Sequence, residues 1–289
     1  KNYSYICTKI KLNMYIVISI FVTLALIIDF SIGNLPLELF KSPLNIIILL
    51  SIFFYIYIIS NNKNKYRYIL RIGSLKGVIS IFVLFIIFIL LSIFLPSTFS
   101  THSWTFTSII LLLIVSLTIL IIKQATLILN EIQHTKRWSH QHSIIVHLGV
   151  LITIASLLFG SADSSTLYHQ SITNIPDNIC LTTKGEKETL PFYLISDNIE
   201  IIGTSSNIID YIAEFRTIDK DSTITKHTSR PNHPAHFDGY DIYISDFKTS
   251  DFSDSKQITY IINKSPWKYV TYFGIILSII GLLILFIRK

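Results

Sequence analysis

Ile144-Ile145-Val146-His147-Leu148-Gly149-Val150-Leu151 begins an apolar run that continues to Ala162 and holds a single imidazole. About 20 mainly apolar residues are what it takes to cross a ~30 Å hydrocarbon core, so this run places the fold in a bilayer. Five more stretches share its character, and spans are predicted at 14–33, 43–60, 76–96, 103–122, 143–162 and 268–287. Composition agrees. Of the 289 residues 51% are hydrophobic and 15% charged, and the mean hydropathy is +0.55, a balance from which no soluble surface is assembled. The first run follows Lys9 and Lys11 as a signal peptide would. It is long, however, and no small-residue cleavage site follows, so it is expected to be retained. With Lys rather than Met in first position, the polypeptide is expected to begin further upstream.

The net charge of +6 raises the question of nucleic acid. The basic residues answer it by lying in short clusters beside the spans, where helix orientation accounts for them and no nucleic-acid partner is implied. Lys1, Lys9 and Lys11 precede the first span, and Lys63, Lys65, Arg67 and Arg71 follow the second. Lys136 and Arg137 lie between the fourth and fifth, and Arg288 and Lys289 follow the sixth. Positive charge is retained in the cytoplasm, so both termini are expected inside, with 35–41, 96–103 and the long segment 161–264 outside. Cys7 and Cys180 then fall on opposite sides of the membrane, which excludes a disulfide between them. The chain has no CxxC pair to support thiol exchange or structural zinc.

The outer segment of roughly a hundred residues is large enough for a core of its own. Apolar and polar residues alternate in Ile199-Glu200-Ile201-Ile202, Tyr211-Ile212-Ala213-Glu214-Phe215-Arg216, Tyr240-Asp241-Ile242-Tyr243-Ile244 and Gln257-Ile258-Thr259-Tyr260-Ile261-Ile262. A period of two residues is that of half-buried strands. Gly203-Thr204-Ser205-Ser206-Asn207 and Asp219-Lys220-Asp221-Ser222 supply turns. The predicted fold class is an α-helical membrane protein of about six transmembrane helices with an inserted extracytoplasmic β-rich, sandwich-like domain. Its parts are a two-helix membrane segment at 1–76, a three-helix core at 77–162, the β-rich domain at 163–266 and a closing helix at 267–289.

Histidines carry the chemistry that can be read here. His147 stands out as the ionisable residue well inside a span, ~5–8 Å below the inner surface at 1.5 Å rise per residue. Intramembrane ionisable residues face the bundle interior and mark functional sites. Imidazole is a common axial ligand of haem iron, which makes His147 the candidate haem ligand, against a plainer role as a hydrogen bond between helices. His102, beside Trp104, opens the fourth span at the outer interface, where an amphipathic anchor explains the pair ahead of a ligand role. His233 and His236, three residues apart before a strand, could seat a metal but lack a third ligand at suitable spacing. His134, His140 and His142 accompany Lys136, Arg137 and Trp138 as cytoplasmic interface residues. The sequence has no P-loop, dinucleotide turn, GxSxG elbow or HExxH, so a self-sufficient hydrolase or ATPase is not expected.

Several separated segments together resemble the ResB (CcsB) family of the system II cytochrome c biogenesis pathway, in its Bacteroidota-like form. They are His102-Ser103-Trp104, Val146-His147-Leu148-Gly149 with Phe159-Gly160-Ser161-Ala162-Asp163, and Leu190-Pro191-Phe192. Further along come Asn232-His233-Pro234 with Gly239-Tyr240-Asp241-Ile242-Tyr243, then Pro266-Trp267 and the span containing Tyr272-Phe273-Gly274-Ile275. Ser265 stands where the family usually has an acidic residue, and the tryptophan-rich WWD segment of the CcsA partner is absent. The resemblance implies a multi-pass protein of the cytoplasmic (inner) membrane with a periplasmic domain. It implies a non-autonomous subunit of a haem-attaching complex, which takes part in export of haem b and its presentation to apocytochrome c. It implies a CcsA-type WWD-domain membrane partner, separate or fused downstream, and His147 as the family's intramembrane histidine. The competing expectation is a structural or sensory membrane protein whose outer β-domain binds a partner without haem.

Overall fold

The computed structural model describes residues 14–62, 66–94, 102–130, 134–204, 207–249 and 256–287. Lys1, Cys7, Lys9, Lys11, Lys63, Lys65, Arg288, Lys289, the loop up to Thr101 and the turn residues Ser205 and Ser206 lie outside the described residues. Two compact units are formed, one from Lys1–Ala162 with Trp267–Lys289, the other from Asp163–Pro266.

The first unit is helical: α1 Met14–Ile32, α2 Leu44–Asn61, α3 Arg67–Ile72, α4 Leu75–Phe94, α5 Trp104–Asn130, α6 His134–Ser161 and α7 Lys268–Ile287. Six of these are long and apolar enough to cross a membrane, every one but the short α3. They cover the predicted spans. α5 is the buried centre, packed against α1, α2, α4 and α6, and its Ile109, Leu113, Ile114 and Leu117 fill the core. The outer faces of α1, α4 and α7 stay apolar and exposed, as Ile27, Ile86 and Ile279 illustrate, which is the surface lipid requires. Helix extends further than hydropathy indicated: α5 continues past residue 122 to Asn130, and α6 already begins at His134. The predicted cytoplasmic loop therefore lies largely on the first turns of α6. Nothing in the sequence stops the backbone there, since no proline occurs between Trp104 and Ser161, and helical hydrogen bonding does not end where the apolar run ends.

Two devices fix these helices. The Asp29 carboxylate of α1 accepts hydrogen bonds from the Trp104 and Thr105 amides at 2.7 and 2.9 Å and from the Thr105 hydroxyl at 2.5 Å. It caps α5 from another helix, while Ser103 Oγ accepts from the Phe106 amide at 3.0 Å. At α6 and α7, small residues bring the backbones together. A Cβ on Gly149 would stand 2.5 Å from the Ser278 nitrogen, and one on Gly274 would stand 2.7 Å from that of Thr153. Ser156 and Thr271 bridge the same interface with a 2.9 Å hydroxyl contact.

The second unit is one eight-stranded antiparallel sheet: β1 Ser165–Ile172, β2 Asp177–Thr182, β3 Lys187–Thr204, β4 Asn207–Ile218, β5 Ile224–Ser229, β6 Ala235–Phe237, β7 Tyr240–Thr249 and β8 Lys256–Lys264. Its spatial order is β5-β4-β3-β2-β1-β8-β7-β6. The sheet folds over a single core that includes Leu167, Phe192, Phe215, Ile242, Ile258 and Tyr260. Its two ends meet through Ser229 of β5, whose hydroxyl donates to the Ile242 carbonyl at 3.2 Å and accepts from the Ile244 amide at 3.3 Å. The four predicted strand segments lie in β3, β4, β7 and β8.

Candidate functional site

Helices α5 and α6 build the intramembrane site. His147 Nδ1 lies 3.2 Å from Gln124 Oε1 of α5 and 3.3 Å from Ser143 Oγ one turn earlier on α6. Gln124 Nε2 donates to that same hydroxyl at 3.1 Å, which closes a three-membered polar ring. An amide oxygen only accepts, so the imidazole nitrogen facing it carries the proton. Nε2 is then left with its lone pair, and it has no hydrogen-bond partner among the described residues. A ring held at one nitrogen and bare at the other is the form in which histidine ligates metal.

Next to His147 along α6, Leu148 begins the wall of an apolar slot of about 400 Å³. Leu151, Ile121, Ile122, Phe53 and Trp267 are among the residues that continue it. The slot offers apolar surface to a flat apolar body, and the bare nitrogen offers a ligand to a metal carried by one. These are the two kinds of group a haem would use, although His147 itself is not among the residues that line the slot.

The other candidate histidines are placed elsewhere. His102 is exposed ahead of α5, and its carbonyl accepts from the Leu35 amide at 2.8 Å. It borders a separate pocket with Leu37, Phe85 and Phe106. From Trp104 to Gln124 the helix rises ~30 Å, so His102 and His147 stand at opposite ends of α5 and cannot share one iron. His233 is exposed in the turn between β5 and β6, bridged through its backbone to Arg230. His236 Nδ1 pairs with Asp241 Oδ1 at 2.6 Å across β6 and β7. No group of three potential metal ligands forms among the described residues.

Several polar residues of interest were not singled out from the sequence. Asp29 and Lys123 both lie within spanning helices, so His147 is not alone there. In the β-unit, His169 is fully buried with Nδ1 2.9 Å from the Ile179 carbonyl and Nε2 unpartnered. Burial holds its pKa below the ordinary value, against the opposing pull of that carbonyl and of Asp177. Burial likewise lowers the pKa of His227, which stacks on Phe215. Cys180 is a free thiol with no exposed surface, pushed up to about 12 by burial and then by the Asp177 and Glu188 charges. The signal that could have found His169 is its inward register on β1, legible only once the strand is recognised.

These elements define a multi-pass membrane protein that carries an inserted antiparallel β-domain. Residues 136–261, which include His147, match the profile of ResB, described as the ResB-like family. Among solved structures, a chain described as cytochrome c heme lyase CcmF is similar at a TM-score of 0.39 and 13% identity. That likeness covers 73% of this chain and 34% of the other, so this chain spans about a third of the length of the chain it resembles. No match is found among curated proteins.

Proposed function

We propose that this chain is a haem-handling subunit in cytochrome c biogenesis, in which His147 ligates the iron of haem b inside the membrane during export and presentation to apocytochrome c. One observation carries the reading: Gln124 and Ser143 engage Nδ1 of His147 and leave Nε2 bare, beside an apolar slot. The ResB-like stretch, which contains this histidine, supports it. In this role the chain's own residues bind and orient. Gln124 holds the proton on Nδ1, Nε2 offers its lone pair to the iron, and the slot walls exclude water from the porphyrin faces. The porphyrin vinyl groups and the substrate thiols supply the covalent chemistry. A CcsA-type WWD-domain membrane protein completes the complex, and the β-domain stands on the periplasmic side of the cytoplasmic membrane with both termini inside.

The test is spectroscopic. Full-length protein purified with its partner from haem-replete membranes is expected to show a Soret band, weakened or lost in His147→Ala and partly restored by added imidazole. An unchanged spectrum in that variant overturns the ligand assignment, and normal c-type cytochromes in a deletion strain overturn the role.

A further inference from the structure

A second cavity of about 580 Å³ opens at the end of the helical unit remote from Trp104. Its lining comes from the end of α2 (Ser60, Asn61), from α3 (Leu70, Arg71) and from α5 (Ile122, Lys123, Thr126). Three features of this cavity point to a ligand.

The first is a half-buried cation without a carboxylate. The Lys123 ammonium donates to the Leu70 carbonyl and, at 3.5 Å, to that of Gly73, so it caps the end of α3. No carboxylate forms an ion pair with it among the described residues. The sequence explains this, because no aspartate or glutamate occurs anywhere between Lys41 and Asn130, the stretch that supplies all the cavity walls. Glu131, the next acid along the chain, lies outside the described residues. Carbonyl dipoles satisfy the ammonium's protons but do not neutralise its charge, and a charge withdrawn from water is costly until it meets an opposite one.

The second is the arginine that shares the cavity. Arg71 brings a planar guanidinium, whose fork matches an oxyanion with two oxygens. The third is an orphaned hydroxyl. Ser60 is only 7% exposed, and its Oγ has no hydrogen-bond partner among the described residues, although it lines the cavity. Leu70 and Ile122 add apolar wall, and Ile122 also borders the slot described above.

We infer that this cavity binds an oxyanion headgroup carried on an apolar body, with Lys123 and Arg71 as counter-charges and Ser60 as an additional donor. Two sources have that chemistry: the phosphate of an anionic phospholipid and the carboxylates of a porphyrin. The site is argued from its own residues and does not rest on haem ligation by His147.

The experiment uses the full chain reconstituted in vesicles of equal parts phosphatidylglycerol and phosphatidylcholine, then transferred to an uncharged detergent. Retained lipid is counted by native mass spectrometry. The intact chain is expected to keep phosphatidylglycerol over phosphatidylcholine by about tenfold, and Arg71→Gln to erase that preference, as loss of one charge-assisted contact implies. Ser60→Ala is expected to weaken it by a smaller factor. These two variants carry the test, because Lys123→Met also removes the cap on α3. A second arm titrates haemin into delipidated His147→Ala protein. Binding there that Arg71→Gln weakens identifies carboxylate as the source. Equal retention of both lipids together with haemin binding indifferent to Arg71 overturns the proposal.

Discussion

Gln124 decides which nitrogen of His147 is available, because its Oε1 faces Nδ1 at 3.2 Å and can only accept. Gln124→Leu removes that acceptor without charging the helix. Losing the partner that orients a ligating histidine typically weakens metal binding 10–100-fold, and haem retention by the full chain is expected to fall by about that factor. His147→Ala with imidazole added back gives the reference spectrum. Outside the membrane, His169 and His227 tie stability to pH. Their pKa values in the folded chain lie below 6.5 because burial disfavours the charged ring. As pH falls below about 6.5 the unfolded chain takes up protons that the folded chain refuses, so stability declines until the lowered values are reached and then levels off. Buried Cys180 reports the opening. In a Cys7→Ser background its labelling, relative to unfolded chain at the same pH, is expected to rise on acidification, and less steeply in His227→Gln.

Elements differed in how plainly the sequence announced them. The six spanning helices are legible because lipid tolerates only long apolar runs, and β3, β4, β7 and β8 because they alternate. β1 was missed for a physical reason: on Ser165–Ile172 the inward residues are Leu167, His169 and Ser171, while Tyr168 and Ile172 face outward. Its hydropathy alternation is thus inverted against its burial. β5 and its sequence Ile224-Thr225-Lys226-His227-Thr228-Ser229 are polar because it is an edge strand. At the candidate site His147 was legible from its apolar surroundings. Gln124 was not, since helix α5 was expected to end two residues before it. The Asp29 cap lies 75 residues from the amide of Trp104, a distance no local motif spans. The α6–α7 contact yields its own expectation. Gly149→Leu forces a side chain into the Ser278 and Gly274 backbones and is expected to cost about 1–3 kcal/mol, as overpacking does. A lower thermal aggregation midpoint in detergent, with exposed Leu157→Ala as the control, would show it.

For the whole molecule the decisive quantity is sidedness. Basic residues concentrate at alternate ends of successive spans, and this predicts that the β-domain and the termini are separated by the membrane. In a Cys7→Ser background, Lys184→Cys in the exposed turn after β2 is expected to react with an impermeant maleimide added to intact spheroplasts, while Lys289→Cys is expected to react only after lysis. The reverse pattern would invert the protein and overturn the proposed direction of haem export. The glycine seam between Gly149 and Gly274 also reaches beyond the two helices it joins. The β-domain is inserted between them in the chain, so a protease nick in any of its turns leaves two pieces, each rooted in the bilayer by a helix clasped to the other's. A severed polypeptide of this design still travels as one body.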